Sequence, residues 1–266
     1  MLGVTDFRKT DELSIGAGLV RVLMNVWCYT FLLLWTLFGF LVFPFFFCIL
    51  LLFLRWSVAQ VVRWLIWMYG RGWLLLMSPF VQFRRENLQQ IKIGEPSLFV
   101  VNHLSFFDTY CAALLPVHDI SFAVRSWPFK MFWYSGFMRL ARYLDVEGNS
   151  WEENLRHCQS VFAGGGSVLF FPEGHRSRDS ELQRFYSGAF IAAINTGVPL
   201  IPLCIDGTNH LLPPGRRLLR PCTIRLRALE PIDVSEFNEK NGHLRLRKLV
   251  KTRMAAALAE MRSGDV

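Results

Sequence analysis

The pattern of apolar and polar positions changes character once along this chain, near residue 82. Before that point one apolar run dominates: from Val22 to Leu54 there is no charged residue. A bilayer crossing needs about 20 apolar residues, so the run is longer than one crossing requires. It is too long for the apolar core of a signal peptide, and no small-residue cleavage site follows it. Gly39 and Pro44 interrupt the run. Two structures fit: one long tilted helix, or a kinked hairpin that enters one leaflet and returns. Next, Trp56, Trp64, Trp67, Tyr69 and Trp73 interleave with Gln60, Arg63 and Arg71. These three polar residues fall near one side at helical spacing. Trp and Tyr favour the headgroup zone and Arg snorkels toward phosphates, so the stretch predicts an interfacial amphipathic helix.

From about Gln82 short apolar runs alternate with helical patterns. The reading is strand 97–101, helix 105–115, strand 120–124, helix 128–140, strand 143–147, helix 151–163 and strand 167–171. Helix 187–196, strands 199–205 and 222–229, and a terminal helix 243–262 complete it. Gly164-Gly165-Gly166, Gly197 and Pro213-Pro214-Gly215 mark turns. Alternation of this kind predicts an α/β domain: a largely parallel sheet flanked by helices, preceded by an N-terminal apolar membrane-associated helical segment.

Composition divides the chain in the same place. Hydrophobic residues make up 52% and charged residues 19%, and the apolar excess sits in the first third. Residues 1–80 therefore read as a membrane-anchoring and interfacial segment, and residues 81–266 as one domain. Residues 55–85 carry five arginines and no acid, which places the domain on the cytoplasmic side of the membrane. The formal charge of +8 favours an anionic partner, such as lipid headgroups, a phosphorylated substrate or an acidic carrier. No zinc-finger spacing or nucleic-acid module accompanies it, so no nucleic-acid partner is expected. The six cysteines include no C-x-x-C pair and the six histidines no H-E-x-x-H, so neither a disulfide framework nor a metal site is expected.

Two stretches carry candidate chemistry. Phe99-Val100-Val101 runs into Asn102-His103-Leu104-Ser105-Phe106-Phe107-Asp108. Within one regular helix His103 and Asp108 would face about 140° apart, so His103 must precede the helix to meet Asp108. Ser105 suits the N-cap and Asp108 the third helical position of a capping-box-like pattern. Asp108 would then hold one imidazole nitrogen and leave the other free to take a proton. These residues also fit a plain helix cap with a loop histidine nearby. In the second stretch, Ser167–Phe171 runs into Pro172-Glu173-Gly174-His175-Arg176-Ser177-Arg178. Ligands bind beyond the carboxyl ends of strands in open α/β sheets, so both loops can face one crevice. Glu173 and Arg176 suit hydroxyl and phosphate contacts.

Asn102–Asp108 resembles the N-H-x-x-x-x-D block of the glycerolipid acyltransferases, which include the 1-acylglycerol-3-phosphate acyltransferases. Phe171–Ser177 resembles their F-P-E-G-x-R-S block, and Val198-Pro199-Leu200-Ile201-Pro202 is similar to a V-P-I-x-P block. The order and spacing match over about residues 80–230. The resemblance implies transfer of a fatty acyl group from a thioester, on coenzyme A or acyl carrier protein, to the hydroxyl of a lysolipid in a membrane. His103 would be the general base and Asp108 its orienting partner. Glu173, Gly174, Arg176 and Ser177 would line the acceptor site, with Arg176 as a phosphate contact. No covalent acyl-enzyme, cofactor or metal is implied.

The chain departs from the family pattern twice. Val146 follows Asp145 where the family usually places an arginine, and Ser187 precedes Gly188 where it commonly has a lysine. The acceptor is thus open between 1-acylglycerol-3-phosphate and a phosphate-free lysolipid or other alcohol. A lipid hydrolase would want an activated nucleophile, and the chain holds no G-x-S-x-G elbow. A non-catalytic lipid-binding protein would leave the pairing of the two polar loops as coincidence.

Overall fold

The computed structural model describes residues 6–213 and 215–263. The predicted turn at Pro213-Pro214-Gly215 therefore lies partly outside the described residues. Helix α1 (Asp6–Phe53) runs without a break through Pro44, so the kinked hairpin is not formed within the apolar run. The chain reverses after it, at Leu54–Ser57, and α2 (Val58–Met77) begins behind a capping box made by Ser57 and Gln60. The two helices lie antiparallel. Trp27 Nε1 donates to Leu76 O at 2.9 Å, and Trp35 Nε1 to Tyr69 O at 3.0 Å. Large apolar side chains of α1 such as Leu41, Phe45, Leu52 and Phe53 remain on the surface.

The inner face of α2 is packed on protein, and this corrects the interfacial reading for Arg63. Its side chain is only 6% exposed; Nε donates to Ala141 O at 2.8 Å and an Nη meets Asp119 at 2.6 Å. Gln60 reaches Asp119 and Gly164 O beside it. A buried guanidinium keeps its charge only when it is paired and hydrogen-bonded, and here the protein supplies both. At the other end of α2, Trp73 stacks on Phe107 and Tyr110.

Among the described residues, seven strands form one sheet in the order β1-β7-β6-β2-β5-β3-β4. They are β1 (Val81–Glu86), β2 (Leu98–Val101), β3 (Ile120–Val124), β4 (Leu144–Asp145), β5 (Ser167–Phe170), β6 (Leu200–Asp206) and β7 (Cys222–Ala228). Strands β6, β2, β5, β3 and β4 are mutually parallel, β7 is antiparallel to β6, and β1 pairs parallel with β7. Alternation along the strands sorts two cores. Phe99, Val101, Leu169, Ile201 and Leu203 point toward α2 and toward α3 (Asp108–Cys111). Leu98, Val100, Val168, Leu200 and Cys204 point toward α5 (Trp151–Ala163), α6 (Gly188–Thr196) and α8 (Gly242–Ser263). Between β3 and β4, α4 (Phe132–Leu140) packs Phe137 against Phe40 and Phe43 of α1.

Candidate active site

Strands β2 and β5 are neighbours, and their connections leave on opposite faces: β2 leads into α3 on one side, β5 into α6 on the other. Such a switch point opens a crevice at the carboxyl ends of the strands. His103 and Glu173 sit there.

The expected helix 105–115 is only the turn α3, followed by a 3-10 turn at Ala112–Leu114. Ser105 does not cap it as expected. Its Oγ meets the Phe107 N–H at 3.4 Å, and the helix starts at Asp108. The carboxylate does the organising instead. Asp108 Oδ2 accepts from Leu104 N at 2.6 Å and Ser105 N at 2.8 Å, and lies 2.8 Å from His103 Nδ1. With Nδ1 donating to Asp108, the neutral tautomer of the ring leaves Nε2 as its acceptor. The Asp108 side chain is 0% exposed and that of His103 17%, so the pair is sheltered with one edge open. His103 lies over Phe171, ring centroids 4.2 Å apart.

The β5 loop grips the His103 backbone from both sides. Glu173 Oε1 accepts its N–H at 2.8 Å, and Ser177 N–H donates to its carbonyl at 2.7 Å. Glu173 Oε2 accepts Gln183 N–H at 2.9 Å, so both carboxylate oxygens of this buried residue are engaged by backbone. Burial pushes the Glu173 carboxyl above its ordinary range, opposed by those two N–H donors. Ser177 Oγ donates to Asp179 at 2.8 Å. Gly174 takes φ +70, and a side chain there would meet Tyr186. Arg176 is exposed, and its guanidinium has no partner among the described residues.

Three features are absent from the sequence reading. Asn102 extends the sheet with its side chain, donating to Ile205 O and accepting from Ile205 N–H, both at 2.8 Å. That lock holds the end of β6 beside the His103 loop. Thr208, on the short helix α7 (Thr208–Leu211), donates to Asp108 Oδ1 at 2.5 Å. Arg262 on α8 donates to Ser180 O at 2.6 Å and to Asp206 Oδ1 at 3.1 Å, tying the terminal helix to the β5 loop and to the end of β6. The Asp-Gly pair before Thr208 signals a turn, but a carboxylate a hundred residues away leaves no trace in local pattern.

The departures take structural form. Glu147, one residue past Val146, pairs with Arg125 at 2.6 Å. Ser187 Oγ accepts from Arg247 of α8 at 2.9 Å, so a guanidinium lies beside the position where the resemblance leads one to expect a lysine. The thiols are poorly suited to attack: burial raises Cys158, Cys204 and Cys222 to about 12.

The sequence model of the Acyltransferase family matches residues 80–206. A chloroplastic 1-acyl-sn-glycerol-3-phosphate acyltransferase of Arabidopsis thaliana is 31% identical over 163 residues, which is 59% of this chain and 46% of that one. The 1-acyl-sn-glycerol-3-phosphate acyltransferase of Salmonella typhimurium is 30% identical over 150 residues, 54% of this chain and 59% of that one. The match thus spans about half the length of these curated relatives. In fold, the chain resembles the crystal structure of the 1-acyl-sn-glycerophosphate acyltransferase PlsC from Thermotoga maritima. The TM-score is 0.69 at 23% identity, over 91% of this chain and 97% of that one. Residues 80–206, which hold the His103–Asp108 pair in the crevice between β2 and β5, are thus similar in sequence to the acyltransferase family, and the chain shares the fold of the Thermotoga maritima protein.

Proposed function

We propose that this protein is a membrane-bound O-acyltransferase that moves a fatty acyl group from a thioester to the free hydroxyl of 1-acylglycerol-3-phosphate. The observation that carries the reading is the His103 ring, held by Asp108 through Nδ1 with its other edge open at the crevice. Nε2 takes the hydroxyl proton as the oxygen attacks the thioester carbonyl. The C–S bond breaks, the ester C–O bond forms, and the imidazolium returns its proton to the departing thiolate. Asp108 fixes the ring throughout. The thioester is already activated, so positioning and deprotonating the alcohol is the main task left to the protein. Arg176, exposed on the β5 loop, is the acceptor-phosphate contact in this reading. Glu173, Gly174 and Ser177 shape the loop that presents it. The curated relatives support the acceptor through the substrate in their names. Coenzyme A or acyl carrier protein is the thioester carrier.

The apolar surface of α1 supports attachment to lipid, and the arginines after it favour the cytoplasmic side. In this division residues 1–80 attach the protein and residues 81–266 do the chemistry. A specific observation keeps a second acceptor in view: Val146 and Ser187 stand where family cations are expected. The deciding experiment supplies purified protein with a labelled acyl thioester and either 1-acylglycerol-3-phosphate or phosphate-free lysolipids. Preference for the phosphate-bearing acceptor supports the reading, preference for neutral lysolipid selects the second acceptor, and release of free fatty acid without an acceptor overturns both.

A further inference from the structure

Asp108 has two oxygens, and the acyl-transfer reading uses one. Oδ2 is crowded, receiving His103 Nδ1 and the N–H groups of Leu104 and Ser105. Oδ1 receives the hydroxyl of Thr208 at 2.5 Å. Thr208 is itself 0% exposed. A short hydrogen bond between two buried side chains, one of them charged, is among the stronger polar contacts a protein makes.

The contact is built from the sheet upward. Asn102 pins Ile205 at the end of β6. Asp206 follows, held by Arg262 and Arg225. Gly207 then turns the chain at φ +92, where a side chain would collide with Thr223 O. Only a glycine permits this turn, and the turn puts the next residue against Asp108. The Thr208 hydroxyl thus arrives from the end of β6, a third strand end beside the His103 loop and the β5 loop.

We propose that Thr208 is a positioning residue for the acid–base pair. Its hydroxyl fixes the carboxylate plane of Asp108 so that Oδ2 stays in line with His103 Nδ1. It also gives the second oxygen of the buried carboxylate a donor, so that neither oxygen is left unpaired. Thr208 reaches no reacting atom; it acts through Asp108 on the ring. A carboxylate free to rotate would let His103 drift, and misplacement of an acid–base group by about 1 Å costs on the order of a hundredfold in rate.

This inference rests on the acyl-transfer reading for its kinetic test but has a second test that does not. T208V keeps the shape and removes the donor, and T208S restores it. In full-length protein the kcat of thioester-dependent acylation falls between about 10- and 100-fold in T208V, with KM for both substrates near wild type, and recovers in T208S. In a His103→Ala background the same substitution has no further effect on the residual rate. Independently of any substrate, the Nδ1–H proton resonance of His103 is displaced in T208V and returns in T208S. Wild-type kcat in T208V overturns the proposal, as does an unmoved resonance in folded T208V. An equal loss in the His103→Ala background also overturns it, by assigning Thr208 a structural role. Absence of acyl transfer in the wild type defeats the functional reading alone, and the resonance then decides on Thr208.

Discussion

The buried carboxylate of Glu173 accepts the backbone N–H of His103 at 2.8 Å and that of Gln183 at 2.9 Å. One acidic side chain therefore sets where the histidine begins and where the following loop ends. Glutamine at this position offers an oxygen to one N–H and an amide donor to the other, so one contact becomes a clash of donors. Glu173→Gln is expected to lower stability by about 1–3 kcal/mol even though it removes a buried charge. Its kcat should fall more than its KM rises. Thermal denaturation and initial rates check both.

Removing the proposed base should have a larger effect. His103→Ala should lower kcat by about 10²–10⁴-fold while the fold persists, since the side chain sits at the rim of the core. Asp108→Asn should be as damaging to rate and harder on stability. Its amide would turn a donor toward the N–H groups of Leu104 and Ser105 or toward the Thr208 hydroxyl. Circular dichroism alongside the acylation assay separates the two losses. Wild-type rates in purified His103→Ala would sink the mechanism.

Arg63 and Asp119 form the buried tie between α2 and the sheet. Breaking one side leaves the other charge stranded, so Arg63→Met or Asp119→Leu alone should cost about 3–5 kcal/mol. The double substitution should cost less than the sum of the singles. A double-mutant cycle by denaturant titration reads the coupling.

The ring of His157 lies 2.7 Å from Arg142 O, through Nε2, and burial pushes its pKa below the ordinary histidine value of about 6.5. The unfolded chain therefore takes up a proton first as pH falls. Stability is full above about pH 6.5 and declines below it, toward the lowered folded value. His157→Gln can still donate to the carbonyl but does not titrate. The drop in melting temperature between pH 7 and 5 should be smaller in that variant.

Most of the parallel sheet was legible because its strands are apolar runs flanked by glycine, and α5 came out at its observed bounds, residues 151–163. Strand β1 was not. It reads Val81-Gln82-Phe83-Arg84-Arg85-Glu86, pairs only with β7, and leaves much of its length in solvent. Its arginines read as flanking charge of a membrane segment, and its partner is some 140 residues away. Helix 105–115 shrank to a turn for a different reason. Its expected cap, Ser105, lost the role to the Asp108 carboxylate, which turns back on the chain before the helix begins. The pairing of His103 with Asp108 could be anticipated from spacing and chemistry. Thr208, Asn102 and Arg262 reach the site through tertiary contacts, which local periodicity does not encode.

Helix α1 is fastened to the domain at widely separated points. Toward its middle Asn25 exchanges two hydrogen bonds with the backbone of Leu219, and further on Phe43 meets Phe137 edge to face. Those contacts are 18 residues apart in α1, a span of about 27 Å along a helix. A catalytic head on a slack tether samples many heights above a bilayer. If α1 enters a bilayer as proposed, it works as a gauge, and the depth at which its exposed side chains settle would set the height and tilt of the His103 crevice. On the proposed function, the lysolipid would then rise to the histidine rather than the histidine dip toward the lipid.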